Sequence, residues 1–208
     1  MKNITLLAVF FIAASFIWGC QENEVKRIDT INDEGKEVLD LDYRDFELAA
    51  AEMARSMIAS GALNKKGGGR YVVATSNIDN ITSRRIDTDQ LMAKIEEELY
   101  NSGQVVMTSA VGSRSSIDKM VHDIRDVRES QYSDEFRSET LVEKEQLIAP
   151  ELSISGKIFQ NSLRYDKDHV QQEYYFQLKT TELASGLRIW QKEVLIGKRG
   201  KITEVDLD

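Results

Sequence analysis

Residues 170–179 read V-Q-Q-E-Y-Y-F-Q-L-K, and this stretch decides the fold. One parity carries the apolar side chains of Val170, Tyr174, Phe176 and Leu178, and the other carries Gln171, Glu173, Gln177 and Lys179. Alternation at period two is typical of an antiparallel strand with one face on a core and the other face in water. The stretch therefore predicts a half-buried strand.

The sequence on both sides extends this strand to a three-stranded meander. Leu152, Ile154 and Ile158 alternate with polar residues before it. After it, Ala184-Ser-Gly186 predicts a turn, and Leu187–Gly197 predicts the next strand. Residues 152–197 are thus expected to form three consecutive antiparallel strands.

Upstream of Pro150, apolar residues recur at helical spacing. Phe46, Ala49, Ala50, Met53 and Met57 share one face of a helix, which Asp42 can cap and Gly61 can end. Asp87 and Gln90 have the spacing of a capping box, and the helix that they open would bury Leu91, Ile95 and Leu99. The sequence predicts two amphipathic helices here.

Two strands and two further helices complete the expected order. Residues 70–76 and 104–108 are short runs that favour strands, and the first is followed by a predicted loop through Asn77, Asn80 and Thr82. Ser115 or Ser116 would open a third helix with Ile117, Met120, Val121, Ile124 and Val127 on one face. A shorter helix is expected over Ser138–Gln146. The whole order predicts a single α+β domain, with about five strands in one mixed or antiparallel sheet and helices on one side.

The N-terminus, MKNITLLAVFFIAASFIWGC, indicates export. Lys2 precedes an uncharged run, and the only cysteine, Cys20, follows Gly19 where charged residues begin. A transmembrane anchor is the rival interpretation, but a spanning helix needs about 20 apolar residues, and the run from Leu6 to Trp18 is shorter. We therefore expect a signal peptide over residues 1–19, an acidic tether over 20–41 and a globular domain over 42–208.

Composition excludes several classes of function. The chain has 208 residues and a formal net charge of −8, which argues against binding to nucleic acid and against a polybasic membrane contact. With one cysteine and no histidine cluster, neither a disulfide nor a structural zinc site is expected. No metal and no other cofactor is predicted.

One set of short motifs suggests an enzyme. Ser116-Ile-Asp-Lys119 matches S-x-x-K, and Ser133-Asp-Glu135 and Lys179-Thr-Thr181 follow in the order of the motifs of penicillin-binding enzymes. The second and third motifs each differ at the last residue, and Ser116 is equally suited to cap a helix. We expect no catalytic residue here, because matches to short motifs are frequent by chance.

Other polar clusters have simpler explanations. The glycine-rich run of residues 64–70 lies between a helix and a strand, the reverse of a phosphate-binding loop, and is interpreted as a connector. His122 and His169 lack partners at metal-ligand spacing. Asp79, Asp87 and Asp89 are expected to crowd one loop, with Asp87 as a helix cap rather than a cation ligand. Tyr174, Tyr175, Phe176 and Trp190 are expected to pack in strands.

Taken in order, these segments resemble the LpoB-type activators of penicillin-binding proteins. Ile17-Trp18-Gly19-Cys20 resembles the lipobox of bacterial lipoproteins, and Ser76-Asn-Ile-Asp-Asn-Ile-Thr82 forms the loop that follows the first strand. The third helix then leads to Leu152-Ser-Ile-Ser-Gly156-Lys-Ile158. Tyr174-Tyr-Phe-Gln-Leu178 turns through Ser185-Gly186 into Ile189-Trp190. The resemblance covers roughly Asp42 to Gly197.

The resemblance implies a fold related to the N-terminal domain of TolB and a lipid on Cys20. It implies an outer-membrane lipoprotein that faces the periplasm and has no catalytic residues of its own. Its implied partner is a bifunctional penicillin-binding protein, a peptidoglycan synthase whose activity it stimulates. An envelope assembly or adaptor lipoprotein with another protein partner is the alternative. No motif identifies the partner-binding residues.

Overall fold

The structure is a computed structural model that describes residues 27–201. The chain divides into two compact units, residues 1–37 and 38–208. In the described part of the first unit, residues 29–32 form a local turn in which the Asp29 carboxylate accepts from the Ile31 N–H (3.0 Å). The expected signal peptide and Cys20 lie outside the described residues. All of the helices and strands given below belong to the second unit.

The described residues of the second unit form five strands and three α-helices. The helices are α1 (Tyr43–Ala59), α2 (Thr88–Asn101) and α3 (Met120–Glu129), with short 3-10 turns at Ser133–Glu135 and Ser138–Thr140. The strands are β1 (Tyr71–Ile81), β2 (Val105–Met107), β3 (Leu152–Arg164), β4 (His169–Glu182) and β5 (Arg188–Lys201).

The five strands form one mixed sheet in the order β2-β1-β3-β4-β5. β1 runs parallel to β2 and to β3, whereas β3, β4 and β5 form the expected antiparallel meander. The predicted α+β class and five-stranded sheet are confirmed. The parallel pairs arise because the chain crosses over through α2 between β1 and β2, and through residues 108–151 between β2 and β3.

One face of the sheet is covered by α1 and α2. The core contains the predicted apolar stripes of both helices and the even-numbered residues of the meander, and its largest buried members are Met53, Met57, Leu91, Ile95, Leu99, Leu152, Ile154, Ile158, Tyr174, Phe176 and Leu178. The Phe46 and Phe176 rings meet edge to face with centroids 6.1 Å apart. The alternation in residues 170–179 therefore predicts correctly that Tyr174, Phe176 and Leu178 are buried in the core.

Both predicted N-cap residues are present, but the Gln90 side chain does not complete the predicted capping box with Asp87. The Asp42 carboxylate accepts from the Arg44 N–H (2.9 Å), and the Asp45 carboxylate accepts from the Asp42 N–H (2.8 Å). The Asp87 carboxylate accepts from the N–H groups of Asp89 (3.1 Å) and Gln90 (3.4 Å). Gly61 follows the end of α1 with φ of 76°, a backbone conformation that glycine adopts without a steric penalty.

Three predictions of local structure are wrong. Residues 77–81 continue β1 instead of forming a loop, because a bulge lets the strand resume its pairing with β3 at Ile78. The third helix begins at Met120, not at Ser115 or Ser116, and it has no buried residue, with Met120 61% exposed. The expected helix over Ser138–Gln146 is only a 3-10 turn at its first residues.

A buried ion pair joins the start of α1 to β5. The Lys198 Nζ lies 2.5 Å from the Asp45 carboxylate, and both side chains are more than nine-tenths buried. Lys198 also donates to the Asp40 carbonyl (3.0 Å), and the Tyr174 hydroxyl donates to the Asp40 carboxylate (3.1 Å). These contacts bind residues 40–45 to β4 and β5 of the sheet.

The sheet face opposite α1 and α2 as candidate functional site

The face of the sheet opposite α1 and α2 carries the side chains that point away from the core. We call it the open face and define it by residues Ser76, Asn77, Asp79, Ile81, Ser155, Lys157, Phe159, Glu173, Tyr175, Gln177, Lys179, Arg188, Gln191, Glu193 and Leu195. These residues pair across β1, β3, β4 and β5, so the strand register arranges them in rows. None of them belongs to the buried core.

The first zone of the open face is an apolar row that crosses four strands. Ile81 pairs with Phe159, Phe159 pairs with Tyr175, and Tyr175 pairs with Leu195. The rings of Phe159 and Tyr175 are stacked, with centroids 4.7 Å apart and planes 1° from parallel. The two ends of the row are exposed, Ile81 by 59% and Leu195 by 53%. We call these four residues the aromatic row.

The second zone is an open pocket of about 520 Å³, which we call the hollow. Two irregularities in the strands border it. Ser76 and Asn77 together stand opposite Ser155, which is a bulge in β1. In β5 the register shifts between Trp190 and Arg188, and the bulge turns the Arg188 side chain to the open face beside Thr181.

Gly156 forms part of the floor of the hollow. A Cβ atom at this position would lie 2.3 Å from the carbonyl oxygen of Gln177 on β4 and 3.0 Å from the Leu178 Cδ1. Side-chain atoms do not approach backbone oxygen that closely, so the close contact of β3 and β4 requires glycine. The glycine of the first meander strand, noted in the sequence, therefore has a structural reason.

Three cationic side chains line the hollow: Lys157, Lys179 and Arg188. Among residues 27–201, no carboxylate oxygen lies within 4.0 Å of the side-chain nitrogens of these three residues, so none of them forms an ion pair there. The Lys157 ammonium lies over the Phe159 ring, 5.2 Å from its centroid, and Arg188 donates to the Gln191 side-chain oxygen. Asp79 is the one acidic residue of the lining.

The other carboxylates of the open face are bound by neutral donors. The Gln177 amide donates to the Glu193 carboxylate (2.5 Å). The Tyr175 hydroxyl donates to the Glu173 carboxylate (2.8 Å), and this hydrogen bond raises the pKa of Tyr175. Glu173 and Glu193 therefore form no ion pair with the cations of the hollow, and the lining of the hollow itself has three basic side chains and one acidic side chain, Asp79.

The motifs that suggested an enzyme lie in three different settings. The Ser116 hydroxyl bonds to the Ser113 hydroxyl (2.8 Å), and Lys119 extends into solvent and pairs with Asp123 (3.6 Å). Ser133–Glu135 is a 3-10 turn, and Lys179 lies in the middle of β4. Ser116 does not cap α3, whose N-cap position is occupied by Lys119, so the suggested role of Ser116 as a helix cap is wrong. Ser116 also forms no hydrogen bond with Lys119.

The other polar residues singled out in the sequence have local partners. A ring nitrogen of His122 lies 2.7 Å from the Ala110 carbonyl, and His169 contacts the Asp166 carboxylate (2.9 Å). Asp79 lies in β1, not in a loop with Asp87 and Asp89. The described residues contain no group of three His, Cys, Asp or Glu side chains placed to hold a metal ion.

The glycine-rich residues 64–70 connect α1 to β1, as expected. Gly67, Gly68 and Gly69 all have positive φ, and the neighbouring Lys65 pairs with Glu151 (2.7 Å). Between residues 27 and 201, no helix is both long enough and apolar enough to cross a membrane.

Sequence patterns alone located part of the open face and missed the rest. The alternation in β4 already placed Glu173, Gln177 and Lys179 on the wet side. Tyr175 was expected to pack in the sheet with Tyr174, Phe176 and Trp190; those three are buried, whereas Tyr175 stacks on the open face. Lys157 and Arg188 were not identified, because only the register and the bulge bring them beside Lys179.

A family model described as the peptidoglycan-synthase activator LpoB matches residues 45–196. Solved structures similar to the chain include the LpoB C-terminal domain from Escherichia coli, with a TM-score of 0.42, 12% identity, and 74% of this chain and 99% of that chain covered. The LpoB C-terminal domain from Salmonella enterica has a TM-score of 0.41 and 11% identity, with coverages of 73% and 98%. The NMR structure of E. coli LpoB has a TM-score of 0.39 and 13% identity, with coverages of 88% and 86%. No protein of curated function matches the sequence significantly.

Proposed function

The chain belongs to the LpoB family of peptidoglycan-synthase activators, and from this premise we propose that it binds and stimulates a bifunctional peptidoglycan synthase, a penicillin-binding protein. The observation that carries the proposal is the extent of the family match. It runs from the first turn of α1 to β5 and therefore includes every strand of the open face. We infer that the partner contacts the open face, because this face combines exposed apolar side chains with cations that form no ion pair in the described part of the chain.

The geometry favours binding over chemistry. The open face combines exposed apolar side chains with three cations that form no ion pair among the described residues, which suits a protein interface better than a closed reaction site. Ser116 is hydrogen-bonded to Ser113, and Lys119 is paired with Asp123, so neither activates the other as nucleophile and base. A regulator without its own catalytic residues agrees with these contacts.

The proposal includes a membrane anchor. Residues 1–19 would be removed as a signal peptide, Cys20 would carry the lipid, residues 20–41 would act as a tether, and residues 42–208 would form the periplasmic domain. The last residues of this tether, from Asp40, lie against the domain and would not contribute to its reach. Attachment to the outer membrane follows from the family resemblance and from Gln21, since an aspartate at that position holds lipoproteins at the inner membrane in enteric bacteria. Membrane fractionation of cells tests the location, and a protein found wholly in inner membranes would refute it.

The function itself is tested by glycan polymerisation. The lipid-free chain, with Cys20→Ser and residues 20–208, is added to each bifunctional synthase of the same organism, and the polymerisation rate is measured. We expect saturable stimulation of at least one synthase. If the chain binds none of them and changes no rate, the activator function is wrong, and a pull-down from envelope extract would then identify the partner of an adaptor.

Fluorescent penicillin tests the enzyme alternative on the same material. A covalent adduct on Ser116 would show that the S-x-x-K motif is catalytic. We expect no labelling, because the Ser116 hydroxyl is held by Ser113 and Lys119 is directed to solvent.

A further inference from the structure

The hollow and the aromatic row together specify the chemistry of their partner. Resting on the proposed function, we propose that the hollow receives carboxylates of an acidic segment of the synthase, and that the aromatic row receives an apolar side chain of the same segment. The two zones lie on the same strands, so one continuous segment can occupy both.

Charge complementarity identifies the occupant of the hollow. The chain as a whole is acidic, with a net charge of −8, and many of its cations are neutralised by carboxylates, such as Lys65 by Glu151 and Lys192 by Glu52. The hollow has three cations that form no ion pair within residues 27–201 and one acid, Asp79, so its lining has a net positive charge, opposite to that of the chain as a whole. Carboxylates that enter the hollow gain charge-assisted hydrogen bonds.

The register fixes how the cations surround the hollow. Lys179 pairs with Ser155, and Lys157 lies two residues further along β3 on the same face. Side chains in this diagonal relation are about 7–8 Å apart at the backbone, so both ammonium groups can reach one carboxylate placed between them. Arg188 closes the β5 side and offers a planar fork that binds a carboxylate through two nitrogens.

Neutral groups and one acid, Asp79, complete the lining. Ser76, Asn77 and Ser155 lie on the β1 side, where the bulge exposes two consecutive side chains opposite one. Hydroxyl and amide groups can donate to a carboxylate oxygen that the cations leave unfilled. The bulge thus widens the hollow and adds hydrogen-bonding groups without adding negative charge.

The spacing of the two zones predicts the pattern of the partner segment. Ser155 of the hollow and Phe159 of the aromatic row are four residues apart on β3, which corresponds to about 13 Å at the rise of a strand. An extended segment laid along β3 would place its acidic residue and its aromatic or aliphatic residue about four positions apart. Ile81 and Leu195 add an aliphatic side chain at each end of the stacked rings. An apolar surface of this length favours a protein side chain over a sugar as its occupant.

Charge reversal of the hollow tests the inference. We would measure the affinity of the Cys20→Ser chain for the synthase, and compare it with that of the Lys157→Glu, Lys179→Glu, Arg188→Glu triple variant. The control is Lys66→Glu, which reverses an exposed charge on the connector between α1 and β1, and the single Lys179→Glu variant, which changes the net charge by the same two units, is compared directly with it. We expect at least a tenfold loss of affinity for the triple variant, a wild-type affinity that falls with added salt, and little change for the control. The neutral Lys179→Gln variant should lose affinity by an intermediate factor.

A carbodiimide crosslinker gives an independent readout, because it joins an ammonium to a carboxylate without a spacer. Mass spectrometry of the crosslinked wild-type complex should find Lys157 or Lys179 joined to an aspartate or glutamate of the synthase. Thermal unfolding of each variant shows whether it remains folded, and the crosslink in the wild-type complex does not depend on any variant.

The outcomes separate this inference from the function on which it rests. If the wild-type chain neither binds nor stimulates a synthase, the proposed function fails. If it does both while the triple variant binds as tightly as Lys66→Glu, or while crosslinks avoid both lysines, only the acidic segment is refuted. If the triple variant keeps its affinity for the synthase and instead loses binding to purified peptidoglycan, the hollow binds the carboxylates of the cell wall, and the inference is wrong.

Discussion

The two faces of the meander are built from alternating residues of the same three strands, and they differ in what holds their side chains. On the covered face, Tyr174, Phe176 and Leu178 are almost completely buried beneath the helices. On the open face, Tyr175 is held by one stacked ring and one hydrogen bond. The difference teaches that the buried side chains of the covered face determine the stability of the domain, while the side chains of the open face are available to a partner.

The largest effect is expected when a core residue is truncated and its open-face neighbour is used as the control. Phe176→Ala should lower the free energy of unfolding by about 3–5 kcal/mol, because it leaves a cavity beside Phe46. Gln177→Ala, one position away, should change the free energy of unfolding by no more than about 0.5 kcal/mol, and this figure includes the loss of the exposed hydrogen bond to Glu193. Urea denaturation measures both, and equal losses would show that the two faces do not differ in burial.

A second pair of variants compares two glycines of the sheet. Gly156→Ala should lower the free energy of unfolding by about 1–3 kcal/mol, because the new Cβ would overlap the Gln177 carbonyl oxygen and the strands must shift. Gly197→Ala is the control, since no atom lies within 4 Å of a Cβ built there and its φ is not positive. It should be neutral or slightly stabilising. A Gly156→Ala protein as stable as wild type would contradict the close approach of β3 and β4.

A smaller effect on stability, with a larger one on binding, is expected on the open face. Tyr175→Ala removes the stack on Phe159, and the free energy of unfolding should fall by about 0.5–1.5 kcal/mol. Its affinity for the synthase should fall at least tenfold, because the centre of the aromatic row is lost. Tyr175→Phe keeps the stack and loses the hydrogen bond to Glu173, so it should bind nearly as well. Unchanged binding by Tyr175→Ala would remove the aromatic row from the interface.

The smallest effect concerns pH and the cap of α1. The Arg44 side chain, which donates to the Asp42 carboxylate, holds the pKa of Asp42 below its usual range in the folded state. A lowered pKa contributes stability above the unfolded value of about 4, and that stability is lost as pH falls through the folded value. Asp42→Asn should therefore be less stable than wild type at pH 7, and the difference should shrink below about pH 4. A difference that stays constant from pH 7 to pH 3 would argue against the role of the charge.

The sequence predicts the covered face much better than the open face, for a physical reason. Burial of Phe176 and its even-numbered neighbours needs only period-two alternation, which is a local property of residues 170–179. The hollow depends on extra residues inside two strands, at Ser76 or Asn77 and at Ile189, and no composition signal marks such a bulge. The sequence therefore suggested a loop where β1 continues.

The segment between β2 and β3 shows the limit of helical periodicity. Ile117, Met120 and Val121 recur at helical spacing, yet α3 has no buried residue and begins four or five positions after the expected serine caps. An apolar stripe predicts that a helix forms, but it does not determine whether another element covers the stripe. Residues 138–146 have no apolar stripe at helical spacing, and only one 3-10 turn forms there.

The central claim is that the open face is the surface through which this chain stimulates its synthase. Its most direct test is a titration of glycan polymerisation with the lipid-free wild-type chain and with a variant that combines Tyr175→Ala and Lys179→Glu, at a temperature at which both proteins are fully folded. We expect the wild-type chain to raise the rate to a plateau, and the variant to need at least a tenfold higher concentration for half of that effect. Identical titration curves for the two proteins would contradict the claim.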